Sequence, residues 1–237
     1  MMKIGGLQRI TLLDYPGHLA CIVFLTGCNF RCPWCYSSEL VLPDKIAKQP
    51  VMAQDDFYDF LKKRKGQLEG VVVCGGEPTI NPDLPDFCRQ IKKIGYKIKL
   101  DTNGSNPIML QELLKKRLVD YVAMDIKASL EKYPMAVGFE GCANNYLADN
   151  IQKSVALLKQ GLVDYEFRTT FVPGIHTKED IADIVKWLKP AKKYFLQYFR
   201  SEKTLDPIFS QIKVDLTEEI NQCLAMASPF FEITQGR

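Results

Sequence analysis

Short apolar runs alternate with longer stretches in which apolar residues recur at helical spacing. Six runs read as strands: Ala20–Leu25, then residues 71–74, 96–100, 121–124, 165–171 and 194–198. Between them lie helical patterns. One holds Phe57, Phe60 and Leu61; a second holds Leu84, Phe87, Ile91 and Ile94 on one face. Asn81-Pro82 places a cap and a first-turn proline ahead of the second, and Gly95 follows its end. Asn106-Pro107 opens a third helix in the same way. Ile151, Val155 and Leu158 mark a fourth, ending at Gly161. Thr177 to Asp180 has the pattern of a capping box for a fifth, and a sixth runs from Thr217 to Met226. Residues 230–233 read as a last short strand.

Strands that alternate with helices imply right-handed parallel crossovers, and six such units make an incomplete version of the eight-unit barrel. The expectation is an α/β fold, a partial (β/α)6 TIM-like barrel in one domain over residues 1–237. Residues 1–19 form an extension, 20–200 the barrel, and 201–237 a terminal helix and strand. No covering segment is evident after the sixth strand.

In parallel α/β folds ligands bind beyond the carboxyl ends of the strands. Cys28 follows the first strand, Gly75-Gly76 the second, Asp101-Thr102 the third and Asp125 the fourth, while Arg168 lies in the fifth. Five elements therefore aim at one mouth.

The most informative residues there are Cys28, Cys32 and Cys35, in the run T-G-C-N-F-R-C-P-W-C-Y. A four-iron cluster usually takes four thiolates, so a loop offering three leaves one iron open to a substrate. Two other accounts compete. Zinc would need a fourth ligand, and the only histidines, His18 and His176, stand at no matching spacing. A purely electron-carrying cluster would need a fourth cysteine, for which Cys74 is the best candidate. Cys21, Cys74, Cys88, Cys142 and Cys223 otherwise read as small buried thiols.

Composition narrows the setting. The net charge is +3, which gives no electrostatic reason for a nucleic-acid partner. The basic runs at residues 62–65 and 115–117 read as solvated helix ends. No signal peptide or membrane-length apolar run is visible, and unpaired cysteine spacing points to a reducing cytoplasm with no membrane partner.

The C-x3-C-x2-C loop followed by Gly75-Gly76-Glu77-Pro78 resembles the radical S-adenosylmethionine (radical SAM) superfamily. Asp101-Thr102-Asn103-Gly104, Met124-Asp125-Ile126-Lys127, and Arg168 with Val172-Pro173-Gly174 recur in that order in glycyl-radical-enzyme activating proteins. The opening I-G-G-L-Q-R-I-T-L-L-D-Y-P-G-H and the late F-L-Q-Y-F-R resemble the branch that activates anaerobic ribonucleoside-triphosphate reductase.

The resemblance implies a [4Fe–4S] cluster on the three cysteines and S-adenosylmethionine chelating the open iron. It implies hydrogen abstraction from a glycine of a partner glycyl-radical enzyme, with a flavodoxin or ferredoxin as electron donor. It places Gly75, Gly76, Glu77 and Pro78 at the methionine amino group and Arg168 near the bound cofactor. Asp101 and Thr102, with Asp125, would form a monovalent-cation site; Asn103 and Lys127 belong to the same motifs. Tyr36 and Trp34 flank the last cluster cysteine, and Trp34 would stack on adenine or shield the cluster.

Plainer roles stand beside these: an ordinary turn at residues 75–78, an Asp125–Lys127 ion pair, and an Arg168–Glu166 ion pair. Two positions depart from activases of pyruvate formate-lyase. Tyr36-Ser37 replaces His-Asn after the third cysteine, and Tyr198-Phe199-Arg200 stands where a histidine is usual. The alternative functions are an activase of another glycyl-radical enzyme, of the pyruvate formate-lyase type, and a radical SAM enzyme acting on a small molecule; a non-catalytic iron–sulfur carrier or a zinc module stands further off.

Overall fold

The computed structural model describes residues 2–139 and 144–237. Eight strands form one sheet in chain order: β1 (Ile4–Thr11), β2 (Ala20–Leu25), β3 (Gly70–Gly75), β4 (Lys97–Thr102), β5 (Tyr121–Asp125), β6 (Asp164–Phe171), β7 (Ala191–Tyr198) and β8 (Phe231–Gly236). β1 runs antiparallel to β2, and each later neighbouring pair is parallel. β1 and β8 end the sheet without pairing to each other, so the barrel is partial. The crossovers carry α1 (Gln54–Lys63), α2 (Leu84–Ile94), α3 (Pro107–Lys115), α4 (Asn144–Lys159), α5 (Lys178–Leu188) and α6 (Thr217–Ala227).

Period-two alternation divides the strand residues between two faces. Cys21, Val23, Leu25, Val71, Val73, Ile98 and Leu100 join the main core beneath the helices. Ala20, Ile22, Val72 and Tyr121 form a smaller inner cluster with Tyr15. On that inner face the side chains turn polar toward the strand ends: Lys99 and Asp101 on β4, Asp125 on β5, Glu166 and Arg168 on β6. Strand register sets Asp125 directly opposite Arg168. Apolar residues thus plug the start of the barrel, and charge collects at its mouth.

Several local signals act as expected. The Asn106 side chain accepts the Met109 N–H, Thr177 and Asp180 form a reciprocal capping box, and Gly95 takes a left-handed φ of 109° after α2. α2 itself starts later than Asn81-Pro82 suggests. Pro78–Ile80 winds its own 3-10 turn, Asn81 Nδ2 bonds back to the Pro78 carbonyl, and Pro85 is the first-turn proline.

The expected extension over residues 1–19 contains β1, whose two glycines and half-exposed face hide it from pattern reading. The last strand spans Phe231–Gly236 rather than residues 230–233. Cys21, Cys88 and Cys223 are buried, Cys74 is only half-buried, and Cys142 lies outside the described residues.

The sequence gives no hint of one further element. Residues 199–216 form a strap that crosses to the cysteine loop. The Asp206 N–H donates to the Pro33 carbonyl at 2.8 Å, and Lys203 pairs with Glu39. Phe199 meets Phe209 edge-on within it. No described helix is long and apolar enough to cross a membrane.

Candidate active site

Cys28, Cys32 and Cys35 lie on one loop after β2, all as free thiols. The Phe30 N–H points at Cys28 Sγ at 3.4 Å, and the Cys35 N–H donates to the Cys32 carbonyl at 3.0 Å. Burial pushes the Cys28 thiol up to about 11 and the Cys32 thiol up to about 12. The Lys127 ammonium opposes that rise at both sulfurs. Among the described residues no three His, Cys, Asp or Glu side chains close on a single ion, and three thiols of one short loop suit a larger group.

The loops around this one are interlocked. Asn29 Oδ1 accepts from Asn103 Nδ2 at 3.1 Å, and Asn29 Nδ2 donates to Ser105 Oγ at 2.9 Å. Glu77 is 1% exposed and takes four donors: Thr79 N–H, Thr79 Oγ1, Thr102 Oγ1 and Asn103 N–H. Its own N–H donates to the Gly27 carbonyl at 2.8 Å. Gly76 lies so close to Gly27 that an added Cβ would overlap the Gly27 carbonyl, and Gly75 holds φ at 128°. Only glycine fits that approach. Thus the carboxylate of Glu77, the hydroxyl of Thr102 and the amide of Asn103 are spent in holding loops together. Pro78 is buried at the start of the 3-10 turn.

A row of alternating charge crosses the mouth. Lys99 Nζ meets Asp101 Oδ1 at 2.7 Å, and Asp101 Oδ2 meets Arg168 Nη1 at 3.0 Å. Arg168 Nε meets Asp125 Oδ1 at 2.8 Å, and Asp125 Oδ2 meets Lys127 Nζ at 3.0 Å. Burial would raise the Asp125 pKa, but Arg168 and Lys127 overcome it and hold the group down to about 2. The ion pair between Asp125 and Lys127 is therefore present. An Arg168–Glu166 pair is not: Glu166 accepts from Tyr121 Oη at 2.7 Å and Arg237 Nη1 at 3.1 Å.

The oxygens of Asp101, Thr102 and Asp125 do not converge. Arg168 already bridges the two carboxylates, and the Thr102 hydroxyl turns to Glu77 on the other face of β4. These residues do not fit a monovalent-cation site.

Two contributors escaped the sequence reading. Lys99 is 2% exposed and anchors Asp101; the alternation Lys97, Lys99, Asp101 was the available signal. His176 Nδ1 accepts the Val172 N–H at 3.0 Å, which leaves Nε2–H to donate to the Lys127 carbonyl at 2.8 Å. Its ring meets buried Trp34 edge-on, with centroids 6.0 Å apart. Only its place after Val172-Pro173-Gly174 hinted at this. Tyr36 is exposed beside Cys74, Asp125, Lys127 and Arg168.

A family model for the radical SAM superfamily matches residues 22–188. A Methanocaldococcus jannaschii protein, provisionally named a glycyl-radical enzyme activating enzyme, is 32% identical over 97% of this chain and 93% of its own. Streptococcus suis SuiB, solved with precursor peptide SuiA, superposes over 89% of this chain with a TM-score of 0.66 and 12% identity. This chain spans 46% of that one. TYW1 with a lysine–pyruvate adduct superposes over 89% of this chain and 73% of its own, with a TM-score of 0.61 and 15% identity. At such identities the structural likeness concerns the fold. The family match covers most of the barrel and includes the cysteine loop, and the chain belongs to the radical SAM superfamily.

Proposed function

We propose that this enzyme activates a partner glycyl-radical enzyme, most specifically an anaerobic ribonucleoside-triphosphate reductase. The observation that carries the reading is the three-thiol loop at the mouth of an open barrel. Likeness along nearly the whole chain to the M. jannaschii protein supports it. Radical SAM membership implies a [4Fe–4S] cluster and S-adenosylmethionine. Together they supply one-electron cleavage of a sulfonium and, from it, abstraction of a hydrogen atom.

The chain's own residues position and shield. Cys28, Cys32 and Cys35 would hold the cluster and leave one corner for the amino acid moiety of the cofactor. The backbone at Gly75-Gly76 offers a close approach for its amino group. Lys127 and Arg168 would bind its carboxylate, while Asp101 and Asp125 hold the Arg168 fork in place. Glu77, Thr102 and Asn103 serve by locking the loops, and Pro78 starts the turn that Glu77 caps. Trp34, packed on His176, would shield the cluster, and exposed Tyr36 would meet the nucleoside. No cation belongs to this reading, because Arg168 stands between the two carboxylates. No acid or base is needed, since the work of the protein is alignment. Electrons come from a flavodoxin or ferredoxin.

Reduced protein incubated with S-adenosylmethionine and the candidate reductase should give a glycyl doublet in electron paramagnetic resonance. Cofactor cleavage without that doublet removes this partner. The strap at residues 199–216 favours a second reading, a radical SAM enzyme with a small-molecule substrate, because Asp206 ties it to the cysteine loop at Pro33. That reading gains if turnover needs no protein partner.

A further inference from the structure

A cleft of about 420 Å³ opens beside the cysteine loop. Cys28 and Gly27 form part of its lining. None of Asp101, Asp125, Lys127 and Arg168 lines it, so it reaches the same loop from a different side. Its walls are apolar, from Val41, Pro43, Ile46 and Ile80.

Its rim is basic. Lys3 and Arg31 line it, and no carboxylate does. Lys48 is exposed just beyond Ala47, and neither Lys3 nor Lys48 forms an ion pair among the described residues. Glu39, on the neighbouring helical turn, is spent on Lys203. Asp44 is the single carboxylate of residues 26–48 without an ion pair among the described residues.

The mouth must admit the cofactor and a substrate, so a protein that delivers electrons needs another approach. Apolar walls beneath a basic rim select a partner with an apolar tip set in acidic surroundings. We infer that this cleft is the docking face for an acidic one-electron carrier protein, with Cys28 as the point of closest approach to the cluster. The carrier loses one electron and the cluster gains it; no bond is made or broken. The inference rests on the cluster reading above.

The test uses the reconstituted holoenzyme and a fully reduced, acidic flavodoxin as probe. The variant is Lys3→Glu with Lys48→Glu. Arg31 is left intact because its Nη1 braces the carbonyls of Cys28 and Phe30, each at 2.7 Å. Dithionite, which needs no docking face, should drive cofactor cleavage equally in both proteins. Stopped-flow bleaching of the cluster by flavodoxin should slow about tenfold or more at low salt in the variant, and its salt dependence should flatten. Flavodoxin binding measured by calorimetry should weaken in parallel.

Equal flavodoxin rates and affinities in the two proteins, with dithionite cleavage intact, would overturn the docking face and leave the radical chemistry standing. Failure of dithionite to drive cleavage in the unaltered protein would overturn both.

Discussion

Glu77 Oε2 accepts the Asn103 backbone N–H at 2.6 Å across 26 residues of chain. The bond joins the loop after β3 to the loop after β4, and the other Glu77 oxygen gathers three further donors from Thr79 and Thr102. Burial pushes the Glu77 pKa up, and the four donors work against that rise. An anion so enclosed acts as a cross-brace for the glycine pair that precedes it.

Glu77→Gln tests the brace. The amide nitrogen cannot accept, so at least one buried donor loses its partner, at a cost of about 1–3 kcal/mol. Thermal denaturation should register that loss. Affinity for S-adenosylmethionine should also fall, by about tenfold if the loop displacement costs 1.4 kcal/mol of binding. Unchanged affinity in a destabilised variant would mean that Gly75-Gly76 keep their position without Glu77.

Arg168 is the centre of the mouth's charge row, and Arg168→Gln should release Asp125. With the guanidinium gone, burial acts against Lys127 alone, and the carboxyl should titrate higher than the value of about 2 it holds beside Arg168. Carbon-detected NMR of the Asp125 carboxyl would follow the change. The sign for stability follows from linkage. A depressed carboxylate adds stability above its unfolded value and loses it as pH falls toward the folded one. In the parent protein about 2 kcal/mol should therefore disappear between pH 4 and pH 2. The variant should show a smaller loss over that window.

His176 gives an opposite residue type the same direction. Burial lowers its pKa, against the Lys127 carbonyl and Asp180, which favour the charged ring; Lys132 also lowers it. Because Nδ1 accepts from Val172, protonation would set two donors face to face. The folded state therefore prefers the neutral ring, and the unfolded chain binds more protons below about pH 6.5. Stability should fall as pH drops through 6.5 and level off below the folded value. His176→Gln should flatten that slope, and urea denaturation at pH 5.5 and 7.5 would measure it.

The barrel was legible because period-two and helical patterns separate cleanly in residues 20–198, and because motif residues fell at successive strand ends. β1 escaped because Gly5 and Gly6 break its pattern and its partner lies across a turn. The charge row was half legible. Asp125 ends β5 and Lys127 follows two residues later, but Asp101 and Arg168 meet only when β4, β5 and β6 curl around a common axis. No local pattern could show that Thr102 faces Glu77 while Asp101 faces Arg168, since the choice depends on the register of β4. The strap was hidden for a similar reason: Asp206 and Pro33 are 173 residues apart, and a backbone hydrogen bond leaves no mark on side-chain identity.

Cys74 separates a catalytic cluster from an electron carrier. It lies on the inner face of β3, half-buried, with Asp101 and Arg168 as charged neighbours and its thiol pushed up to about 12 by burial. A fourth ligand would have to leave that setting and reach a loop that springs from β2. Cys28→Ser, Cys32→Ser and Cys35→Ser should each lower bound iron severely after anaerobic reconstitution, whereas Cys74→Ser should keep nearly four irons per chain. In the Cys74→Ser protein, S-adenosylmethionine should still alter the cluster's electron paramagnetic resonance. If Cys74→Ser instead loses iron like the other three, or if the cofactor leaves the spectrum unchanged in the parent, the fourth corner is occupied by protein. The chain would then carry electrons without cleaving a sulfonium.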